Sequence, residues 1–179
     1  MIDDVYQQRY SEHQKRKRHE LIEIMRYRHS DRMFSDRKID QDDIDVILEA
    51  GSLAPSSCDR HGVRAVVVTG RNEKALLGGL LVGGVGWVHR AQAIILLLGD
   101  REAYKAPREI DFMPFLDAGV MAENMLLAAT AAGMASAFVN PNIREEHQPF
   151  FESVWGLDIL GGAIAVGWPM PPEWLYETS

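Results

Sequence analysis

Between Asp117 and Gly133 lie seventeen residues of which only Asp117, Glu123, Asn124 and Thr130 are polar. Spaced at 3.6 residues per turn, these four do not gather on one side, so the helix this stretch predicts is apolar nearly all round. Such a helix belongs in the centre of a fold, and the rest of the chain has to surround it. One small sheet can scarcely cover it alone, which points to a second copy of the chain as part of the folded unit.

Four short β-branched or apolar runs supply strands: Arg64 to Thr69, Ala93 to Gly99, Ala135 to Val139 and Gly162 to Trp168. The unbroken apolarity of Ala93 to Gly99 suits a strand covered on both faces. Helices are predicted over residues 2 to 27, from an N-cap at Asp40 to about Gly51, from Asn72 to Leu81 and from Arg144 to Trp155. The first carries an irregular apolar stripe of Val5, Leu21, Ile22, Ile24 and Met25. Helices and strands alternate without repeats, so the expected architecture is an α/β or α+β sandwich, helices packed on a sheet of four to five strands. A chain of 179 residues is the size of one domain, 1–179.

The formal net charge of −7 disfavours nucleic acid and anionic membranes as partners. From Arg9 to Arg32, however, eight basic residues face four acids, which leaves −11 for the remainder. A basic segment on an acidic body invites an anionic ligand. One cysteine, Cys58, excludes an intrachain disulfide and fits a reducing compartment, so a cytoplasmic protein is expected. No signal peptide is read in the charged N-terminus, and the longest apolar run, Ala93 to Leu98, is too short to span a bilayer.

The familiar catalytic motifs are missing. Histidines 13, 19, 29, 61, 89 and 147 are scattered, with no His-x-x-x-His and no Cys-x-x-Cys, so no metal site is expected. Gly84-Val85-Gly86 begins a dinucleotide fingerprint, but it follows a helix and has His89 at the sixth position. Cys58 reads as a small packed residue, and Lys15-Arg16-Lys17-Arg18 as a solvated helix face.

Two loops stand out instead. Arg28-His29-Ser30-Asp31-Arg32 sets two guanidiniums four residues apart with a hydroxyl between, an arrangement able to hold one phosphate by charge-assisted hydrogen bonds. Ala54-Pro55-Ser56-Ser57-Cys58-Asp59-Arg60-His61 clusters small hydroxyl residues after a helix, which lets backbone approach a ligand. Each loop alone is equally compatible with an ordinary surface turn.

In this order the two loops resemble the FMN-dependent nitroreductase family. That family opens with Arg-x-Ser-x-Arg-x-Phe, here Arg28 to Phe34, and continues with Ala-Pro-Ser-Ser-x-Asn-x-Gln-Pro-Trp, here Ala54 to Val63. Asp117-Ala118-Gly119 with Glu123 to Ala129 is similar to its core helix, Gly133 to Asn140 to the strand ending beside the flavin, and Gly167-Trp168-Pro169 to its closing Gly-x-Pro. The resemblance covers roughly residues 20 to 170.

It implies a nitroreductase-like fold with a central, mostly antiparallel sheet, an intertwined homodimer and FMN between the subunits. Arg28, His29, Ser30 and Arg32 would hold the flavin phosphate, with Val139 and Asn140 from the same subunit. Pro55, Ser56, Ser57 and Asp59 would come from the other subunit. It also implies an oxidoreductase passing hydride from NAD(P)H through the flavin to a small acceptor such as a nitroaromatic or a quinone, with no catalytic side chain. Asp59 stands where the family has Asn, His61 where it has Gln, and Gly62 and Val63 where it has Pro and Trp. Pro141 lacks an N–H where family members offer one to the flavin, and the C-terminal run Pro171 to Ser179 lacks their basic residue. These departures keep open a specialised oxidation, desaturation or dehalogenation on the same fold, and a non-catalytic flavin-binding protein. The acceptor segments are expected at Gly83 to His89 and Tyr104 to Phe115.

Overall fold

A computed structural model describes residues 2–106 and 108–171, with side chains from Arg9 onward. The elements in chain order are α1 (Ile2–Tyr27), α2 (Gln41–Ser52), β1 (Val63–Val68), α3 (Arg71–Leu80), β2 (Ala93–Gly99), α4 (Met113–Ala131), β3 (Ala135–Val139), α5 (Gln148–Trp155) and β4 (Ile159–Gly167). The four strands form one antiparallel sheet in the order β1-β2-β4-β3. The first and third strands are therefore its two edges.

Alternation along β2 and β4 divides the core. Ile95, Leu97, Ile164 and Val166 face Ile44 and Ile47 of α2 and Ala118, Ala122 and Met125 of α4. Ile94, Leu96, Ala163 and Ala165 face the opposite layer, with Leu77, Leu81, Val88 and Phe151. Burial on both faces is the reason β2 is apolar without interruption.

Local signals set most boundaries. Asp40 accepts the Asp43 N–H at 3.1 Å while Asp43 accepts the Asp40 N–H at 3.4 Å, a capping box that starts α2 as the sequence predicts. The central helix begins at Met113 rather than Asp117, because Pro114 occupies its first turn, where a missing N–H is harmless. The last strand begins at Ile159 rather than Gly162. Pairing with β2 recruits the earlier residues, and the register slips between Leu97 and Leu98 so that Gly161 is an extra residue in β4.

α1 departs from an ordinary packed helix. Every side chain from Arg9 to Glu23 is exposed, and of the predicted apolar stripe Leu21, Ile22 and Met25 remain open to solvent. Only its C-terminal turns approach α4. Among the described residues no helix is long and apolar enough to cross a membrane.

Candidate functional site

The loop from Arg28 to Asp36 runs along the outer edge of β3. The Asp31 N–H donates to the Ser136 carbonyl at 2.9 Å, the Ser35 N–H to the Trp168 carbonyl at 2.9 Å, and Phe34 pairs with Pro169. These bonds occupy part of an edge that would otherwise be open to another strand. Among the described residues neither Arg28 nor Arg32 has an ion-pair partner. The Arg32 guanidinium lies 5.5 Å over the Trp87 ring. Trp87 in turn donates its indole N–H to the Gly83 carbonyl at 3.0 Å. Gly83 sits against the Asn140 amide, close enough that an added Cβ would meet it at 3.4 Å. The Val82 N–H and Asn142 carbonyl complete the seam at 3.0 Å.

Arg32, Trp87, Gly83 and Asn140 are thus assembled by one chain, with Val139 buried beneath in its pairing with Ala163. Ser30 is exposed beside them. His29 and Asp31 line an adjoining cleft of about 370 Å³ together with Tyr27, Thr130, Met134 and Met170.

The second loop is held from beneath by Asp117, the one acid on the buried side of α4. Its carboxylate, only 6% exposed, accepts the Ser57 N–H at 3.0 Å, the Ser57 hydroxyl at 2.9 Å and the Tyr104 hydroxyl at 2.9 Å. Burial, with the Asp117 charge beside it, pushes the Tyr104 hydroxyl well above the usual phenol range. A second tie joins Arg60 to Glu109, which also accepts the Ala106 N–H at 3.1 Å. The hydrogen bond from Arg60 holds the Glu109 carboxyl below the usual range. Within this frame Cys58, Asp59 and His61 all take left-handed backbone, with φ of 53°, 55° and 49°. Asp and His tolerate that region better than most side chains, while for cysteine it costs energy that the anchors supply.

The serine hydroxyls therefore differ in availability. Ser57 turns inward to Asp117 and Met113, whereas the Ser56 oxygen accepts the His61 N–H at 2.9 Å and keeps its own proton to donate. Asp59 is exposed and meets His61 at 3.0 Å. Pro55, Ser56 and His61 line a cleft of about 290 Å³ with Val63, Asp117 and Met121.

One chain does not bring the two loops together. The first runs outside β3 and the second feeds β1, and three strand spacings, about 14 Å, separate those edges. Asp117 falls in the stretch likened to the family's core helix, and Trp87, Tyr104 and Glu109 fall in the two segments expected to receive the acceptor; that these four residues shape the two loops was not read from the sequence. The run Pro172 to Ser179, where the missing basic residue was noted, lies outside the described residues. Among those residues no three metal-ligating groups converge.

A four-stranded antiparallel sheet between helical layers, with an arginine loop on one edge and a serine loop on the other, defines the class. Residues 25–85 and 80–168 match the model of the nitroreductase family, and the chain belongs to that family. A protein of Archaeoglobus fulgidus provisionally named an NADH dehydrogenase/NAD(P)H nitroreductase is 28% identical over 89% of this chain and 91% of its own. An FMN reductase [NAD(P)H] of Bacillus subtilis is 30% identical over 65% of this chain, which spans 46% of that protein. A provisionally named nitroreductase of Desulfovibrio desulfuricans, crystallised with FMN, superposes with a TM-score of 0.70 at 25% identity, covering 89% of this chain and 95% of its own.

Proposed function

We propose that the protein is an FMN-dependent oxidoreductase that passes hydride from NAD(P)H to a small organic acceptor, a nitroaromatic, a quinone or a compound of similar chemistry. The observation that carries this reading is the donor set of the first loop. Two guanidiniums without ion-pair partners among the described residues, beside an exposed hydroxyl, suit a doubly charged phosphate, and the one acid among them is held by a histidine. The names of the A. fulgidus and B. subtilis relatives and the FMN of the D. desulfuricans structure support the same chemistry.

In this reading Arg28 and Arg32 grip the flavin phosphate, with His29 and Ser30 completing the loop. The cation–π contact with Trp87 holds the Arg32 guanidinium beside the loop. Val139 and Asn140 end the strand on which the ring rests. Pro55, Ser56, Ser57 and Asp59 close the site from a second copy of the chain, because the same chain carries them on the far edge of its own sheet. Ser57 acts there by holding the loop on Asp117, and Ser56 and the backbone offer the hydrogen bonds. When bound, the flavin supplies the hydride chemistry. The folded unit is then an intertwined homodimer of single domains, and the lone cysteine fits a cytoplasmic enzyme.

The visible spectrum of the purified protein, before and after anaerobic addition of NADPH or NADH, tests the proposal. A yellow preparation bleached by either nucleotide supports it. Colour that neither nucleotide bleaches refutes the reductase reading, and a colourless protein that takes up no FMN refutes the cofactor.

A further inference from the structure

Asp31 sits in an awkward place for a loop that is to hold an anion. It lies one residue from Arg32 and three from Arg28, and its N–H bond to the Ser136 carbonyl fixes it there. An unneutralised carboxylate at that point competes with any phosphoryl group for the same guanidiniums.

His29 answers this. Its Nδ1 lies 2.8 Å from the Tyr27 carbonyl oxygen, and its Nε2 lies 3.1 Å from Asp31 Oδ1. A carbonyl and a carboxylate only accept, and a neutral imidazole has a single N–H to give. The ring satisfies both neighbours only as an imidazolium. The surroundings contain little to oppose it: the adjoining cleft adds Tyr27 from α1, Thr130 from α4, and Gly133, Met134, Ala135, Pro169 and Met170 from the neighbouring segments, none of them a cation. Arg28 is the one positive neighbour that works against the charge.

We propose that His29, as an imidazolium, is the positioning counter-cation of Asp31, freeing Arg28 and Arg32 for a phosphoryl group and making retention of that group fall as the solution turns alkaline. The proposal rests on the FMN reading and adds to it a titratable group that the chemistry itself does not use. With His29 charged, the four ionic groups of the loop (Arg28, His29, Asp31, Arg32) sum to +2, and without it to +1. The hydrogen bond that His29 Nδ1–H donates to the Tyr27 carbonyl, followed by the Asp31 charge, raises the His29 pKa above 6.5. The effect is therefore fully present below that value and is lost as pH rises through the raised one. The useful window opens at 6.5 and runs upward, with His29→Gln as the baseline for the phosphate's own titration near about pH 6.

The test loads the protein with FMN or with riboflavin, dilutes it, and reads free flavin by fluorescence across that window. FMN should dissociate about three- to tenfold more readily at the alkaline end, a change of the size expected for one partly screened unit charge. Riboflavin, lacking the phosphate, should show no such slope. His29→Gln should hold FMN at the weaker level at every pH, and Asp31→Asn at the tighter level at every pH. A wild-type profile as flat as that of His29→Gln, or an equal slope for riboflavin, overturns the proposal. If neither flavin binds, the FMN reading is what fails. The His29 to Asp31 pair then stands or falls on its own NMR titration, assigned with His29→Gln: a midpoint above 6.5 upholds it and one at or below 6.5 overturns it.

Discussion

Asp117 does more for the second loop than any residue within it. Three donors converge on a carboxylate shielded from water, so truncating it strands the Ser57 N–H and the Tyr104 hydroxyl along with the packing they fix. Asp117→Ala should lower the unfolding free energy by about 2–4 kcal/mol, as measured by urea denaturation, since bonds to a charged acceptor contribute about 1.5–3 kcal/mol each before relaxation. A midpoint equal to the wild type would show that the network is incidental. The Asp59 carboxylate, by contrast, meets His61 alone among the described residues and should be dispensable for folding. Its charge is the point of interest, because its relatives in the family pattern carry a neutral amide there. If, as proposed, the loop reaches a partner's flavin, Asp59→Asn removes a negative charge that disfavours the reduced anion by about 1–2 kcal/mol, or about 20–40 mV for a two-electron couple. The midpoint potential of bound FMN should rise by that amount. An unchanged potential at every pH would put Asp59 away from the flavin.

Among the elements, β4 shows why some boundaries were legible in the sequence and others were not. The capping box of α2 and the apolar runs of β1, β2 and β3 are local signals, and the chain obeys them. The start of β4 is a property of the sheet: Ile159 and Leu160 form strand only because β2 pairs with them beyond the bulge at Gly161. Gly161 also lets the strand approach α4, since a Cβ there would come within 2.4 Å of the Ala118 Cβ and 3.2 Å of the Pro114 carbonyl oxygen. Gly161→Ala should therefore cost about 1–3 kcal/mol of stability by forcing backbone apart, and a variant as stable as the parent in thermal melts would refute that packing. The candidate site divides in the same way. Its two loops were visible because arginine and serine spacings are written in consecutive residues. The contacts that shape them, Arg32 on Trp87 and Ser57 on Asp117, join residues 55 and 60 positions apart, and no local pattern records them.

At the scale of the molecule, the apolar character of the central helix outruns what one chain covers. Along α4 the sheet and α2 bury Ala118, Ala122, Met125 and Ala129, yet Leu116 is 58% exposed, with Phe115 at 41% and Val120 at 42% beside it on the outward face. Phe112 and, across the surface, Leu53 and Met25 add to the exposed apolar area. Single exposed apolar residues are ordinary, but Leu116 and Val120, four residues apart on one helix, share a side of α4 that this chain leaves open for another molecule to cover. The separation of the two loops on opposite sheet edges asks for the same partner, because a site needing both closes only when one chain's arginine loop meets another chain's serine loop. The proposed homodimer should sediment at twice the chain mass of 20.1 kDa. Leu116→Glu places a carboxylate in the covered face while leaving the monomer's own core untouched. That variant should sediment as a single chain, keep its helical circular dichroism and lose FMN, since half of each site leaves with the partner. A wild-type protein found as a folded monomer at micromolar concentration, still holding FMN, would overturn both the dimer and the shared site.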